Sequence, residues 1–279
     1  NHSRYVTYKA KDAIVDYFTE KYGKRPTVSV ANPDIYFNLH ISHTTCTLSL
    51  DSSGAPLFKR GYRVAQTDAP INEVLAAGLL MLSGWKGQCD FIEPMCGSGT
   101  IAIEAAMIAL NMAPGLFRKE FAFERWEDFD KDMFDDIYND DSMERDFKHK
   151  IYASDVSAKA IGIANANIKS AGLGRYIETK VMDIADMPAQ EKPIHSVFNP
   201  PYGERLNDFS IKELYSTIGT TLKHKFPGSN AWIISSSMLG FDNIGLKPTK
   251  KMQLINGDLK CDFRGYTIFS GKMKEFKRR

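Results

Sequence analysis

The sequence predicts a doubly wound α/β fold that finishes in an antiparallel C-terminal hairpin strand and is preceded by a smaller, partial α+β piece. Three observations lead there. Short apolar runs suited to buried parallel strands recur at 89–93, 151–155, 177–181 and 194–198, and the first two feed helix-patterned segments at 101–110 and 157–170. Gly97-Ser98-Gly99 stands between the first strand and its helix, where small residues let a ligand approach the backbone. Near the end, Asn256-Gly257, a dipeptide suited to a type I′ turn, separates 251–255 from 259–263.

The elements follow in order. Residues 8–22 carry Ala10, Ala13, Ile14, Tyr17 and Phe18 on one helical face, and Gly23 is placed to close that helix. Ile35, Phe37, Leu39 and Ile41 alternate, as do Cys46, Leu48 and Leu50 beyond a polar break at 42–45, so a β-hairpin comes next. One helix and two strands make too small a core to stand alone, and the chain has no initiator methionine. Residues 1–55 are therefore expected to be the C-terminal part of a larger accessory domain, with 56–70 a linker and 71–279 the sheet domain. A helix is expected from 69–71 to about Leu82, stopped near Gly84, before the first strand. The acidic stretch 120–146 is expected to insert between the first crossover helix and the second strand, helical in its second half.

Composition narrows the classes. With 279 residues, 43% hydrophobic and 25% charged, the chain is an ordinary globular protein. No apolar run approaches the roughly 18 residues of a membrane span and no signal pattern opens the chain. Cys46, Cys89, Cys96 and Cys261 lie far apart, which predicts reduced thiols in a cytoplasmic protein and no metal site. The net charge of +2 hides an asymmetry: residues 120–148 hold twelve acids and four bases, a balance of −8 that leaves +10 elsewhere. Lys21, Lys24 and Arg25, then Lys59, Arg60 and Arg63 with Tyr62 interleaved, and the tail 272–279 are candidate phosphate-tracking residues.

The chemistry concentrates in two motifs. Glu93-Pro94-Met95-Cys96-Gly97-Ser98-Gly99-Thr100 is a strand-loop-helix cofactor turn that, taken alone, also fits a dinucleotide fingerprint. Its continuation decides the matter, because successive strand ends carry Asp155, placed to grip ribose hydroxyls, and Asp183, placed to accept from an adenine amine. Asn199-Pro200-Pro201-Tyr202 then follows the fourth strand. An exocyclic base amine is a poor nucleophile because its lone pair is delocalised into the ring. The Asn199 side-chain oxygen and the Pro200 carbonyl can accept its two hydrogens, and Tyr202 can stack the base. Together these motifs predict methyl transfer from S-adenosylmethionine to a nucleobase amine. Cys96 has no identifiable base beside it and reads as a small packing residue.

The segments EPMCGSGT, SDVSAKAI, VMDIADM and NPPYGERL resemble the THUMP-associated RNA methyltransferases, and most closely the bacterial large-subunit ribosomal RNA guanine-N2-methyltransferases. The likeness runs from LFKRGYR (57–63) onward, with Glu93 where that family usually has Asp. It implies a Rossmann-like class I S-adenosylmethionine methyltransferase with strand order 3-2-1-4-5-7-6, behind a partial THUMP-like RNA-binding domain. It also implies cofactor contacts from Glu93, Pro94, Cys96, Gly97, Gly99, Thr100, Asp155, Val156, Asp183, Ile184 and Asn199, and a target base held by Asn199, Pro200 and Tyr202. The implied partner is ribosomal RNA, of the large subunit or its precursor. The same clamp fits adenine N6 of DNA or RNA, and an RNA-binding assembly factor without turnover is the reading from another class.

Overall fold

The computed structural model describes residues 3–201 and 208–269. In chain order its elements are α1 (Ser3–Tyr22), β1 (Tyr36–Ser42), β2 (Thr45–Asp51), α2 (Glu73–Ser83), β3 (Phe91–Glu93), α3 (Thr100–Leu110), α4 (Lys131–Tyr138), β4 (Ile151–Asp155) and α5 (Ala158–Ser170). There follow β5 (Ile177–Val181), β6 (His195–Phe198), α6 (Asp208–Lys225), β7 (Asn230–Ser235), α7 (Met238–Asn243), β8 (Lys250–Asn256) and β9 (Leu259–Thr267). They fall into two units, Asn1–Pro56 with Lys119–Tyr138, and Leu57–Arg118 with Asn139–Arg279.

The first unit holds α1 and the hairpin β1–β2, paired from Tyr36↔Asp51 to Ser42↔Thr45. The acidic segment joins this unit. Phe123 N donates to Ser52 O at 3.1 Å, Arg125 Nη1 donates to Pro33 O at 3.1 Å, and Phe121, Phe123, Phe129 and Phe134 pack ring on ring. An insertion in sequence is thus part of the N-terminal unit in space, tied to it by the Phe123 amide and the Arg125 guanidinium, while its aromatic rings pack among themselves.

The second unit is a seven-stranded sheet in the order β5-β4-β3-β6-β7-β9-β8, with β9 antiparallel to both neighbours. Numbered within the unit this is the expected 3-2-1-4-5-7-6. Alternation along each strand sends Phe91 and Val197 to one face and Ile92 and Phe198 to the other. The first face is covered by α2, α3 and α5, the second by α6 and α7. Because β3, β4, β5 and β6 are parallel, Glu93, Asp155, Val181 and Phe198 end on one edge, where ligands of open α/β sheets bind.

Local chemistry moved three boundaries. The α2 helix starts at Glu73 because the Asn72 side chain accepts from Val74 N and Leu75 N at 2.9 and 3.2 Å. The first strand covers only Phe91–Glu93 of the expected 89–93. In the last hairpin Asn256 pairs with Leu259, so the turn is Gly257-Asp258, with Gly257 at φ 61° in the first central position, as a type II′ turn requires. The expected linker is also no linker: residues from Leu57 on belong to the second unit, and Tyr62 lies in its core with 1% exposure.

His195 at the start of β6 is buried between Trp85 and Phe91, with Nε2 2.8 Å from Ser83 Oγ. Burial lowers its pKa to about 4. The unfolded chain takes up this proton near pH 6.5 and the folded one only near 4, so the contribution is complete above about 6.5 and lost as pH falls toward 4. Denaturant titrations across that window should show roughly 3 kcal/mol of pH-dependent stability that His195→Gln lacks. Equal pH slopes in both proteins would contradict the assignment.

Candidate active site

The cofactor turn is built from backbone donors aimed at acids. Cys96 N donates to Ser154 O at 2.9 Å and Gly97 N to Asp155 Oδ2 at 3.0 Å, which ties the loop after β3 to the end of β4. The other Asp155 oxygen accepts from Ser157 N at 2.9 Å, just before α5. Gly99 has φ 77°, and a Cβ there would lie 3.1 Å from Ala164 Cβ, so loop and α5 touch backbone to side chain. A Cβ on Gly97 would meet nothing nearer than Thr67 Oγ1 at 3.9 Å, which leaves space for a ligand.

Glu93 is buried, and its Oε2 accepts from Ala102 N at 2.8 Å in the first turn of α3. Burial, then the charge of Asp155, push its pKa well above the usual carboxylate range, while the bond from Ala102 opposes them. Asp183 stays exposed, with Oδ1 accepting from Ala185 N at 2.8 Å. The Cys96 thiol is pushed up by burial and by the neighbouring Glu93 and Asp155 charges. It therefore stays protonated and packs, as its sequence setting indicated.

These groups enclose a cavity of about 370 Å³ at the strand ends. Of the predicted site residues, Glu93, Pro94, Cys96, Gly97, Thr100, Asp155, Val156, Asp183, Ile184 and Asn199 line it. Gly99 instead faces α5, Pro200 is buried beside the cavity, and Tyr202 lies outside the described residues, as does the basic tail from Lys272. Asn199 Oδ1 is buried and, among the described residues, accepts no hydrogen bond. A buried acceptor without a donor is costly, so its presence at the cavity marks a place where a ligand supplies one.

Sequence reasoning missed the group that assembles this wall. Asn167, 1% exposed in α5, uses its whole amide. Its Oδ1 accepts from Val64 N and Ala65 N at 2.9 and 3.1 Å, and its Nδ2 donates to Ala65 O and Ser98 O, both at 2.9 Å. Thr67 N then donates to Ser98 Oγ at 2.9 Å. The available signal was an asparagine inside an alanine-rich helix, where its propensity is poor unless the side chain has other work.

The residues offered for phosphate tracking are corrected by burial. Tyr62 OH donates to Glu104 Oε1 at 2.9 Å, and Arg60 Nε lies 3.4 Å from the same oxygen. Arg63 Nε donates to Glu73 Oε1 at 2.7 Å, and its Nη2 donates to Ile71 O at 3.1 Å and Thr100 Oγ1 at 2.9 Å. Arg63 thus braces two residues of the cavity wall, Ile71 and Thr100, while Arg60 and Tyr62 hold α3 through Glu104, and Lys59 alone of the four is exposed. Among the described residues no cluster of His, Cys, Asp or Glu could hold a metal ion, and no helix is long and apolar enough to cross a membrane.

The strand order with its reversed last strand, joined to a glycine turn and acidic strand ends around one cavity, defines a Rossmann-like methyltransferase. Residues 60–264 match the RMKL-like methyltransferase domain and residues 1–51 the THUMP domain, so the chain belongs to the RMKL-like methyltransferase family. A Synechocystis sp. protein named as an RNA methyltransferase is 36% identical over 274 residues, covering 96% of this chain and 71% of that one. The ribosomal RNA large subunit methyltransferase K/L of Shewanella frigidimarina is 36% identical over 281 residues, covering 98% of this chain, which spans 40% of that protein. The solved structure of SMU.472, complexed with S-adenosylhomocysteine, superposes with a TM-score of 0.82 at 32% identity over 94% of this chain and 70% of that one. S-adenosyl-L-methionine is the cofactor of this domain, and the open side of Gly97 and the exposed Asp183 fit it.

Asn167→Ala removes four hydrogen bonds and strands the Ser98 carbonyl. It should cost about 2–4 kcal/mol by chemical denaturation and weaken cofactor binding in calorimetry at temperatures where the variant is folded. A stable variant with unchanged affinity would mean the amide is dispensable.

Proposed function

We propose that the protein methylates the exocyclic N2 amine of a guanine in large-subunit ribosomal RNA. The observation that carries this reading is the Asn199 Oδ1, unpaired among the described residues and held at the end of β6 on the wall of the cofactor cavity. RNA as the substrate class is supported by the THUMP match and by the names of the Synechocystis and Shewanella relatives.

In this mechanism Asn199 Oδ1 and the Pro200 carbonyl accept the two amine hydrogens. Their pull draws the nitrogen toward tetrahedral geometry as positive charge develops, so the stabilisation is greatest in the transition state. Pro200 and Pro201 restrict the backbone, which sets the carbonyl direction before substrate arrives. Tyr202 is assigned the stacking face for the base. When bound, S-adenosylmethionine supplies a sulfonium-activated methyl group. Asp155 and Asp183 would hold its ribose and adenine, with Val156 and Ile184 as the apolar walls, and the turn at Gly97 would face its amino acid end. Positioning supplies much of the rate in such a displacement. A stacked or paired target must be flipped out or already unpaired.

Adenine N6 presents the same two hydrogens, so substrate identity is the decisive test. Radiolabelled transfer to ribosomal RNA and to duplex DNA, followed by nucleoside mass spectrometry, should give N2-methylguanosine from RNA. N6-methyladenine as the product would replace the reading. Asn199→Ala should lower turnover about a hundredfold or more while changing cofactor affinity only modestly, measured by single-turnover assay and calorimetry. Equal losses in both would make Asn199 a cofactor ligand.

A further inference from the structure

A second concavity, of about 910 Å³, opens on the same unit and shares Pro70 and Ile71 with the cofactor cavity. One wall is the segment from Phe58 to Gln66, the floor is the outward face of α2, and the far wall is the β8–β9 hairpin at Leu254–Gly257. We infer that this groove receives the unpaired RNA strand that flanks the target nucleotide. The inference rests on the proposed reading of RNA as substrate.

Continuity is the first argument. A nucleotide held at Asn199 remains attached to its neighbours, and this groove begins at the segment that walls the catalytic cavity. Its chemistry is the second. Val74, Leu82 and Ile255 leave aliphatic surface exposed, Ile255 to 68%, and a row of apolar contacts separated by polar groups suits unstacked bases. Gln66 and Asn72 add amide groups able to meet base edges. Charge is the third. The lining cations are Lys59, Arg60 and Arg63 and the lining acid is Glu73. Arg60 faces Glu104 and Arg63 faces Glu73, which leaves the exposed Lys59 ammonium at the rim for a phosphate. A protein partner would also use apolar surface, but nothing would place it beside the reacting base.

The wall between the two cavities is stiff. Arg63 bridges Glu73 of α2, the Ile71 carbonyl and Thr100 at the head of α3, so an RNA strand in the groove would lie against a wall that reaches the cofactor turn.

The test uses the full chain with ribosomal RNA from a strain lacking the gene, and variants outside the catalytic machinery. Val74→Asp with Ile255→Asp should raise the KM for RNA about tenfold or more, as expected when apolar anchors of an interface are replaced by charge, with S-adenosylmethionine affinity and melting temperature unchanged. Lys59→Gln should reduce the logarithmic salt slope of RNA binding by about 0.7, one single-strand phosphate contact. Photo-crosslinks from 4-thiouridine RNA should map to 58–66 and 254–257. Wild-type RNA kinetics in the double variant, with crosslinks elsewhere, would overturn the groove and hand it to a protein partner, while leaving the proposed function standing. A wild-type protein that neither binds nor methylates RNA would overturn both.

Discussion

The amide of Asn167 holds together three pieces of chain distant in sequence: α5, the stretch before α2, and the cofactor turn after β3. Each of its four hydrogen bonds goes to backbone, so no side chain can rearrange to replace it. The Ser98 carbonyl it captures belongs to the loop whose other groups are engaged by Asp155 and by the Ser154 carbonyl. A loop that must present open space to a ligand cannot be held by packing on its ligand side. It is held from behind, and buried polar groups fully satisfied in one arrangement specify that arrangement over its neighbours.

The acids around the cavity divide their work for the same reason. Glu93 is spent on the first turn of α3 and Asp155 on two backbone amides, so both organise the loop before a ligand enters. Asp183 keeps an exposed carboxylate and Asn199 keeps a buried oxygen without a donor among the described residues. Asp155 uses one position on each of its oxygens. With about four acceptor positions in a carboxylate, it builds the loop while keeping positions for a ligand, whereas Asp183 and Asn199 do little of the building. That contrast argues for a preorganised site, where ordering costs are met in folding and not during catalysis.

Much of this was legible in the chain. The strands 151–155 and 177–181 and the helix ending at Ser170 emerged with their expected limits because their patterning is local: short runs opened by isoleucine, a serine cap, a glycine after the helix. The turn at Gly97 and Gly99 was legible because glycine at those spacings has few other uses. What failed was long-range. The string from Lys59 to Arg63 looks like a phosphate tracker, yet Arg60 and Arg63 are paired with Glu104 and Glu73, forty-four and ten residues away, and burial cannot be read from spacing. Trp126, Phe129 and Phe134 gave the acidic stretch its apolar side, but nothing local named the unit it would join. Asn167 gave only a weak local conflict, and its partners lay 69 to 103 residues upstream.

Hydrogen exchange on the chain with and without S-adenosylhomocysteine tests the link between latch and cofactor turn most directly. Ligand should slow exchange at the Gly97 amide and, in step with it, at the Val64, Ala65 and Thr67 amides, because Asn167 and Ser98 tie them into one unit. Slowed exchange in the turn with an unchanged 64–67 segment would contradict it.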